Sequence, residues 1–224
     1  MRRDARPSLS VRVVAEALGT LLLVAAVVGS GIMAERLTND AALALLANTL
    51  ATAAILVVLV AILGPVSGAH INPAVSLVFV IRRELPAADF ALYVPAQLLG
   101  GIAGTALAHL MFDIAPLIPG TQIRTGASQW LAEAVATFSL VLAILGGLRF
   151  RPDAVPWLVG LVIASAYWFT ASTSFANPAV TLARAFTTTF SGIAPGDVPA
   201  FVTAQIAGAL LASGAAMILF SPDR

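Results

Sequence analysis

Cysteine is absent from the 224 residues, and so is lysine: all twelve basic side chains are arginines. Without cysteine there is no disulfide, no thiolate metal site and no cysteine nucleophile. Histidine is scarce, His70 and His109 being the only two, which is thin for a metal site. No metal site is expected. Charge is also scarce, at 10% of residues with a formal net of +1, against about 25% charged in a soluble domain. That poverty excludes an ordinary cytoplasmic enzyme, a disordered tail and a nucleic-acid binder.

What is present instead is apolar. Hydrophobic residues make up 59% of the chain, and the mean hydropathy is +0.96. Counting the 17 glycines raises the apolar share to about two thirds, against roughly 45–50% in soluble proteins. A soluble globule of this size has no interior large enough for that surface, so the chain reads as a polytopic membrane protein.

Crossing the apolar layer of a bilayer takes about 20 helical residues. Six stretches are long enough, at about 11–33, 41–64, 90–112, 128–148, 154–172 and 198–220. The first follows Arg2, Arg3, Arg6 and Arg12. A signal peptide starts the same way, but its apolar core is only about 7–15 residues long, so this stretch reads as a retained span. Pro65 reads as the end of the second span. No linker separates soluble domains, and residues 1–224 read as a single transmembrane domain. With the N-terminus in the cytoplasm, Arg2, Arg3, Arg6, Arg12, Arg82, Arg83, Arg149, Arg151 and Arg224 fall inside. Arg36, Arg124 and Arg184 fall outside, a clear positive-inside bias. The expected location is the inner (plasma) membrane, with both termini cytoplasmic.

The chain repeats itself. "VAEALGTLLLV" returns as "LAEAVATFSLV", "HINPAVSL" as "FANPAVTL", and "PAQLLGGIAG" as "TAQIAGALLA". Glu16, Asn72 and Gln97 thereby match Glu133, Asn177 and Gln205, at offsets of 117, 105 and 108 positions. Each copy, at about 11–112 and 128–220, holds three spans. An odd number of spans makes the second copy enter from the opposite side, giving an inverted repeat with its path at the repeat interface.

Asn72-Pro73-Ala74 and Asn177-Pro178-Ala179 carry the most information. Asparagine is a favoured N-cap and proline a favoured first helical residue, so each triplet starts a helix. The apolar runs that follow reach Ile81 and Phe190 and are too short to span. They read as half-helices entering from opposite sides, with their N-termini meeting near the midplane. Two N-termini place partial positive charge there, a barrier to cations but not to neutral solutes. The asparagine amides offer N–H donors to a passing oxygen.

These motifs, above all "SGAHINPAV" and the paired "AE" span starts, resemble the aquaporin (major intrinsic protein) family over essentially the whole chain. The resemblance implies an all-α fold: a right-handed bundle of six transmembrane helices and two half-helices in an inverted repeat. It further implies a homotetramer with one pore per subunit, passive flux and no cofactor. The family's filter positions, counted from the motifs, are Thr52, Ser165, Ser174 and Val180. The count requires that no residue be inserted or lost between motif and filter. The last position is usually arginine in the family. The set is small, uncharged and free of aromatics, which implies a wide filter. Val180 also resembles a bacterial aquaglyceroporin branch associated with arsenic-resistance loci, which implies passage of neutral arsenite and methylated arsenicals.

Glu16 and Glu133 are costly within spans unless satisfied. Either they form a proton relay or they accept N–H groups from the bent segments, and their symmetry favours the second role. Gln97 and Gln205 read as braces for the half-helices, His70 as a packing and hydrogen-bonding residue, and His109 as structural. Arg184 follows Val180 by four residues, on the same helical face, and reads as an outer-vestibule cation. The duller role for Arg184 is capping or interfacial anchoring. Tyr93, Trp130, Trp157 and Trp168 read as interfacial anchors where they lie near span ends. The leading function is a passive channel for small neutral solutes: water, glycerol-like polyols and arsenite. The alternatives are a water- or glycerol-dominated pore and a proton-coupled carrier. No catalytic constellation appears, and the expected surroundings are the lipid bilayer and permeating solutes, with no nucleic acid.

Overall fold

The computed structural model describes residues 7–220. Of the arginines counted for orientation, Arg2, Arg3, Arg6 and Arg224 lie outside the described residues. Among the described residues the fold is all-helical: α1 (Leu9–Leu37), α2 (Ala41–Ser67), α3 (Pro73–Ile81), α4 (Ala87–Met111), α5 (Ala127–Phe150), α6 (Val155–Phe169), α7 (Pro178–Arg184) and α8 (Val198–Leu219). Six are long and apolar enough to cross a membrane; α3 and α7 are the two half-helices.

Most of the long helices overrun the apolar stretches by a few residues at one or both ends, and two of them start on polar caps. Ser8 caps α1 through Val11 N, and the Asp40 carboxylate accepts from Ala42 N and Leu43 N at the start of α2. Three expectations are corrected. Pro65 lies inside α2, which ends two residues later at Ser67 and is capped by Gly68, whose φ of 95° suits the left-handed cap. Proline withholds one donor near the helix end, too little to stop it. The half-helix after Asn177 ends at Arg184, not Phe190, where Ala185 N turns back to Leu182 O at 3.1 Å. The β-branched Thr187, Thr188 and Thr189 that follow are poor helix formers. Tyr93 is not an interfacial anchor: it is fully buried, and its hydroxyl donates to Ser67 O at 2.9 Å. Trp130, Trp157 and Trp168 are exposed.

The packing is pseudo-symmetric. α1 packs on α4 as α5 packs on α8, α3 touches α4 as α7 touches α8, and α2 meets α6 across the repeat boundary. Glycine sets the closeness of the first pairing in both copies. A Cβ on Gly100 would lie 2.3 Å from Ala17 O, and one on Gly208 would lie 2.1 Å from Ala134 O. Both targets are backbone atoms and cannot yield. The inverted repeat seen in the sequence is therefore built into the helix contacts.

Candidate functional site

The two triplets fold as their residue types dictate. Asn72 and Asn177 are extended, with φ of −159° at both, and proline follows at the first helical position. Asn72 Oδ1 accepts from Ala74 N at 2.9 Å and Val75 N at 3.5 Å. Asn177 Oδ1 accepts from Ala179 N at 2.9 Å and Val180 N at 3.3 Å. Each carboxamide also reaches across: Asn72 Nδ2 donates to Ala176 O, and Asn177 Nδ2 to Ile71 O, both at 2.8 Å. One amide hydrogen of each asparagine is thus spent on the opposite loop, and the second remains for the cavity.

The segments ahead of the triplets are unusual backbone. Ala69 and Ile71 on one side, and Thr173, Ser174 and Ala176 on the other, all have φ between 40° and 60°. That region is sparse for residues with a side chain, most of all for β-branched isoleucine. Buried carboxylates hold it in place. Glu16 accepts from His70 N at 3.0 Å, Ile71 N at 2.6 Å, Ser67 Oγ at 2.6 Å and Gln97 Nε2 at 2.8 Å. Glu133 accepts from Phe175 N and Ala176 N, both at 2.9 Å, and from Gln205 Nε2 at 2.6 Å. Gln97 also donates to Ser76 Oγ, and Gln205 to Thr181 Oγ1. Each Glu–Gln pair therefore ties a bent loop to its half-helix. His70 Nδ1 lies 3.1 Å from Ser76 Oγ, and its ring packs on Phe79. His109, on α4, joins Ala115 O and Thr187 Oγ1.

A cavity of about 560 Å3 connects these parts. At one end it is lined by Leu148, Asp153, Gly64 and His70, it passes both asparagines, and at the other end it reaches Thr52, Tyr167, Ser174, Val180 and Arg184. Three of the four filter residues expected from spacing, Thr52, Ser174 and Val180, line it together. Ser165 does not. It is exposed on the far face of α6, with its hydroxyl donating to Val162 O. The inner face of α6 carries Ile163 and Tyr167 instead, four residues apart. Tyr167 donates to Thr52 Oγ1 at 3.3 Å. A fixed count back from Asn177 misses this position, and the cavity lining beside Thr52 includes an aromatic ring.

Arg184 is also placed differently from expectation. It is not in an open vestibule but 2% exposed. The chain after α7 folds back over it: Ile193 N donates to Arg184 O at 3.2 Å, and Arg184 Nε donates to Ser191 O. The guanidinium carbon sits 3.3 Å from the centroid of the Phe175 ring. Arg124, on the loop between α4 and α5, approaches the same ring at 5.1 Å and donates through Nε to Gly192 O at 2.8 Å. Burial pulls the Arg124 guanidinium below its ordinary value. Sequence reasoning counted Arg124 only for orientation, because nothing in its local sequence marks long-range packing.

With this geometry in place, similarity to known proteins becomes informative. Residues 5–155 match the family described as major intrinsic protein. The chain is 66% identical over 216 residues to aquaglyceroporin AqpS of Rhizobium meliloti (strain 1021), covering 96% of this chain and 93% of that protein. It is 33% identical over 193 residues to aquaporin NIP2-1 of Zea mays, covering 80% of this chain and 62% of that protein. The X-ray structure of the aquaglyceroporin from Plasmodium falciparum shares the fold, with a TM-score of 0.72 and 22% identity over 96% of this chain and 98% of that one. The six apolar helices, the paired half-helices and these matches agree: the chain belongs to the major intrinsic protein family, and it is a multi-pass membrane channel rather than an enzyme.

Proposed function

We propose that the protein is a passive channel for small neutral solutes: water, glycerol-like polyols, and arsenite with its methylated relatives. The observation that carries this reading is the cavity of about 560 Å3 that passes both asparagines and ends among Thr52, Tyr167, Ser174 and Val180. Valine at 180 leaves that ring without the guanidinium that family members usually place there. Hydroxyls of Thr52, Tyr167 and Ser174 supply polar contacts, while Val180 and the tyrosine ring supply an apolar wall. That combination suits a solute with hydroxyl groups on a compact body. The likeness to aquaglyceroporin AqpS supports the polyol part of the reading.

Arg184 replaces the missing filter arginine in part, one helical turn further along α7. We assign the pore motif to Asn72, Pro73, Ala74, Asn177, Pro178 and Ala179, with support from Glu16, Glu133, Gln97, Gln205 and His70. The chain acts as one domain in a homotetramer, in the inner (plasma) membrane, with both termini cytoplasmic. A proton-coupled carrier gains no support, because Glu16 and Glu133 are occupied by backbone amides and glutamine.

Proteoliposome flux tests this. Water, glycerol and arsenite should each equilibrate without a proton gradient, with rates linear in concentration. Flux that saturates, or that collapses with a protonophore, would return the carrier reading.

A further inference from the structure

The Arg184 end of the cavity holds a charge that its neighbours do not neutralise. Arg184 is 2% exposed and lines the cavity. Its Nε is committed to Ser191 O and its face to the Phe175 ring, so its orientation is fixed. Its Nη1 is buried with no hydrogen-bond partner. Ser174, 2% exposed and adjacent to Phe175, likewise carries a buried hydroxyl with no partner. Arg124 adds a second guanidinium on the same ring, but its donors go to Gly192 O, Ser172 O, Phe190 O and Gln122.

The nearby carboxylates are already engaged. Glu133 serves Phe175 N, Ala176 N and Gln205, and Asp197 accepts from Arg124 N at 2.7 Å. Among the described residues, the ion pairs within 4.0 Å are Arg12–Asp89, Arg82–Glu84 and Arg151–Asp153, so neither Arg124 nor Arg184 is salt-bridged. An unpaired buried cation is costly, and an unsatisfied buried donor adds to that cost. Deeper in the cavity, the N-termini of α3 and α7 add positive potential of the same sign.

We propose that this end of the cavity is a binding site for a small monovalent oxyanion, held by Arg184 Nη1 and Ser174 Oγ. The channel therefore admits weak oxyacids in their anionic as well as neutral form. Val180 makes this geometry possible. It lines the same cavity four residues before Arg184 on α7, and a long side chain there would take up cavity space that valine leaves open. The proposal rests on the reading of this cavity as the conduction path.

Nitrate is a suitable probe, since it is an oxyanion that stays charged at every working pH. Three readouts are taken on purified protein: glycerol flux in proteoliposomes, nitrate flux in the same vesicles, and the nitrate-induced rise in melting temperature in detergent. Wild type should give all three. Arg184→Gln and, separately, Ser174→Ala should weaken nitrate binding by about 10-fold or more, the size expected for losing a charge-assisted contact. Arg184→Lys should recover part of the loss, and Arg36→Gln, an exposed arginine outside the cavity, should leave nitrate binding as in wild type. If Arg184→Gln does not fold, Ser174→Ala and the wild-type readouts still decide. The proposal is overturned if nitrate neither stabilises nor crosses wild type, or if both site variants bind nitrate as wild type does. Nitrate binding without glycerol flux would sustain the site and overturn the polyol channel instead. Glycerol flux without nitrate binding would do the reverse.

Discussion

Asn72 and Asn177 clasp each other's loops: Asn72 Nδ2 donates to Ala176 O and Asn177 Nδ2 to Ile71 O, each at 2.8 Å. Each side chain is therefore both the cap of its own half-helix and a link to the other repeat. Replacing Asn177 with alanine should cost about 1–3 kcal/mol, from a lost cap and a lost buried hydrogen bond. Asn177→Asp keeps the cap acceptor and removes the clasp donor. Thermal unfolding of both variants, with cation conductance in bilayers, checks this. Alanine should lower the melting temperature, and aspartate should weaken cation exclusion. Unchanged values in both would remove the clasp from the account.

Gly100 and Gly208 should resist substitution equally. A Cβ at either would meet a backbone carbonyl oxygen, of Ala17 at 2.3 Å or of Ala134 at 2.1 Å. Alanine at either position should destabilise by about 1–3 kcal/mol. Gly214, also in α8, has nothing within 4 Å of a built Cβ. Gly214→Ala should be neutral or stabilising by up to about 1 kcal/mol. Melting curves in detergent separate the three.

Glu133→Gln tests whether the carboxylate braces the loop or moves protons. The amide puts a donor where Phe175 N and Ala176 N need acceptors. A loss of about 1–3 kcal/mol in stability is expected. Any surviving flux should be as insensitive to a proton gradient as in wild type. A stable variant whose flux has lost a gradient dependence present in wild type would instead identify a relay.

Much of this was legible in the sequence, for a physical reason. Caps, proline starts and the Glu–Gln pairs are short-range or repeat-matched, so two copies at similar offsets reveal them. Ser165 was not, because counting residues assumes a constant loop length. Helical periodicity puts Tyr167 and Ile163, not Ser165, on the inner face of α6. A polar-tipped aromatic near the end of an apolar span was the available signal. The end of α7 and the burial of Arg184 depend on the chain after α7 folding back, with Ser191 O and Ile193 N returning to Arg184. Arg124 reaches Phe175 from 51 positions away. Neither contact is encoded in a local pattern.

Mercurials should not block the channel rapidly or reversibly. Their usual target is a thiolate, and the chain has no cysteine. Flux measured before and after mercuric chloride, then with added thiol, should be unchanged at each stage. Prompt block reversed by thiol would point to a contaminating protein or to a different metal-reactive group.

Val180→Arg puts the central claim to its most direct test. The claim is that solutes pass through the ring of Thr52, Tyr167, Ser174 and Val180, and that valine there keeps the ring wide. The measurement is stopped-flow permeability of wild-type and Val180→Arg proteoliposomes to water, glycerol and arsenite, at matched protein content. The account predicts that all three cross wild type, and that the variant loses glycerol and arsenite flux by at least about 10-fold more than water flux, a difference of about 1.4 kcal/mol in barrier height. Equal loss of all three solutes, or no loss in a folded variant, would contradict it.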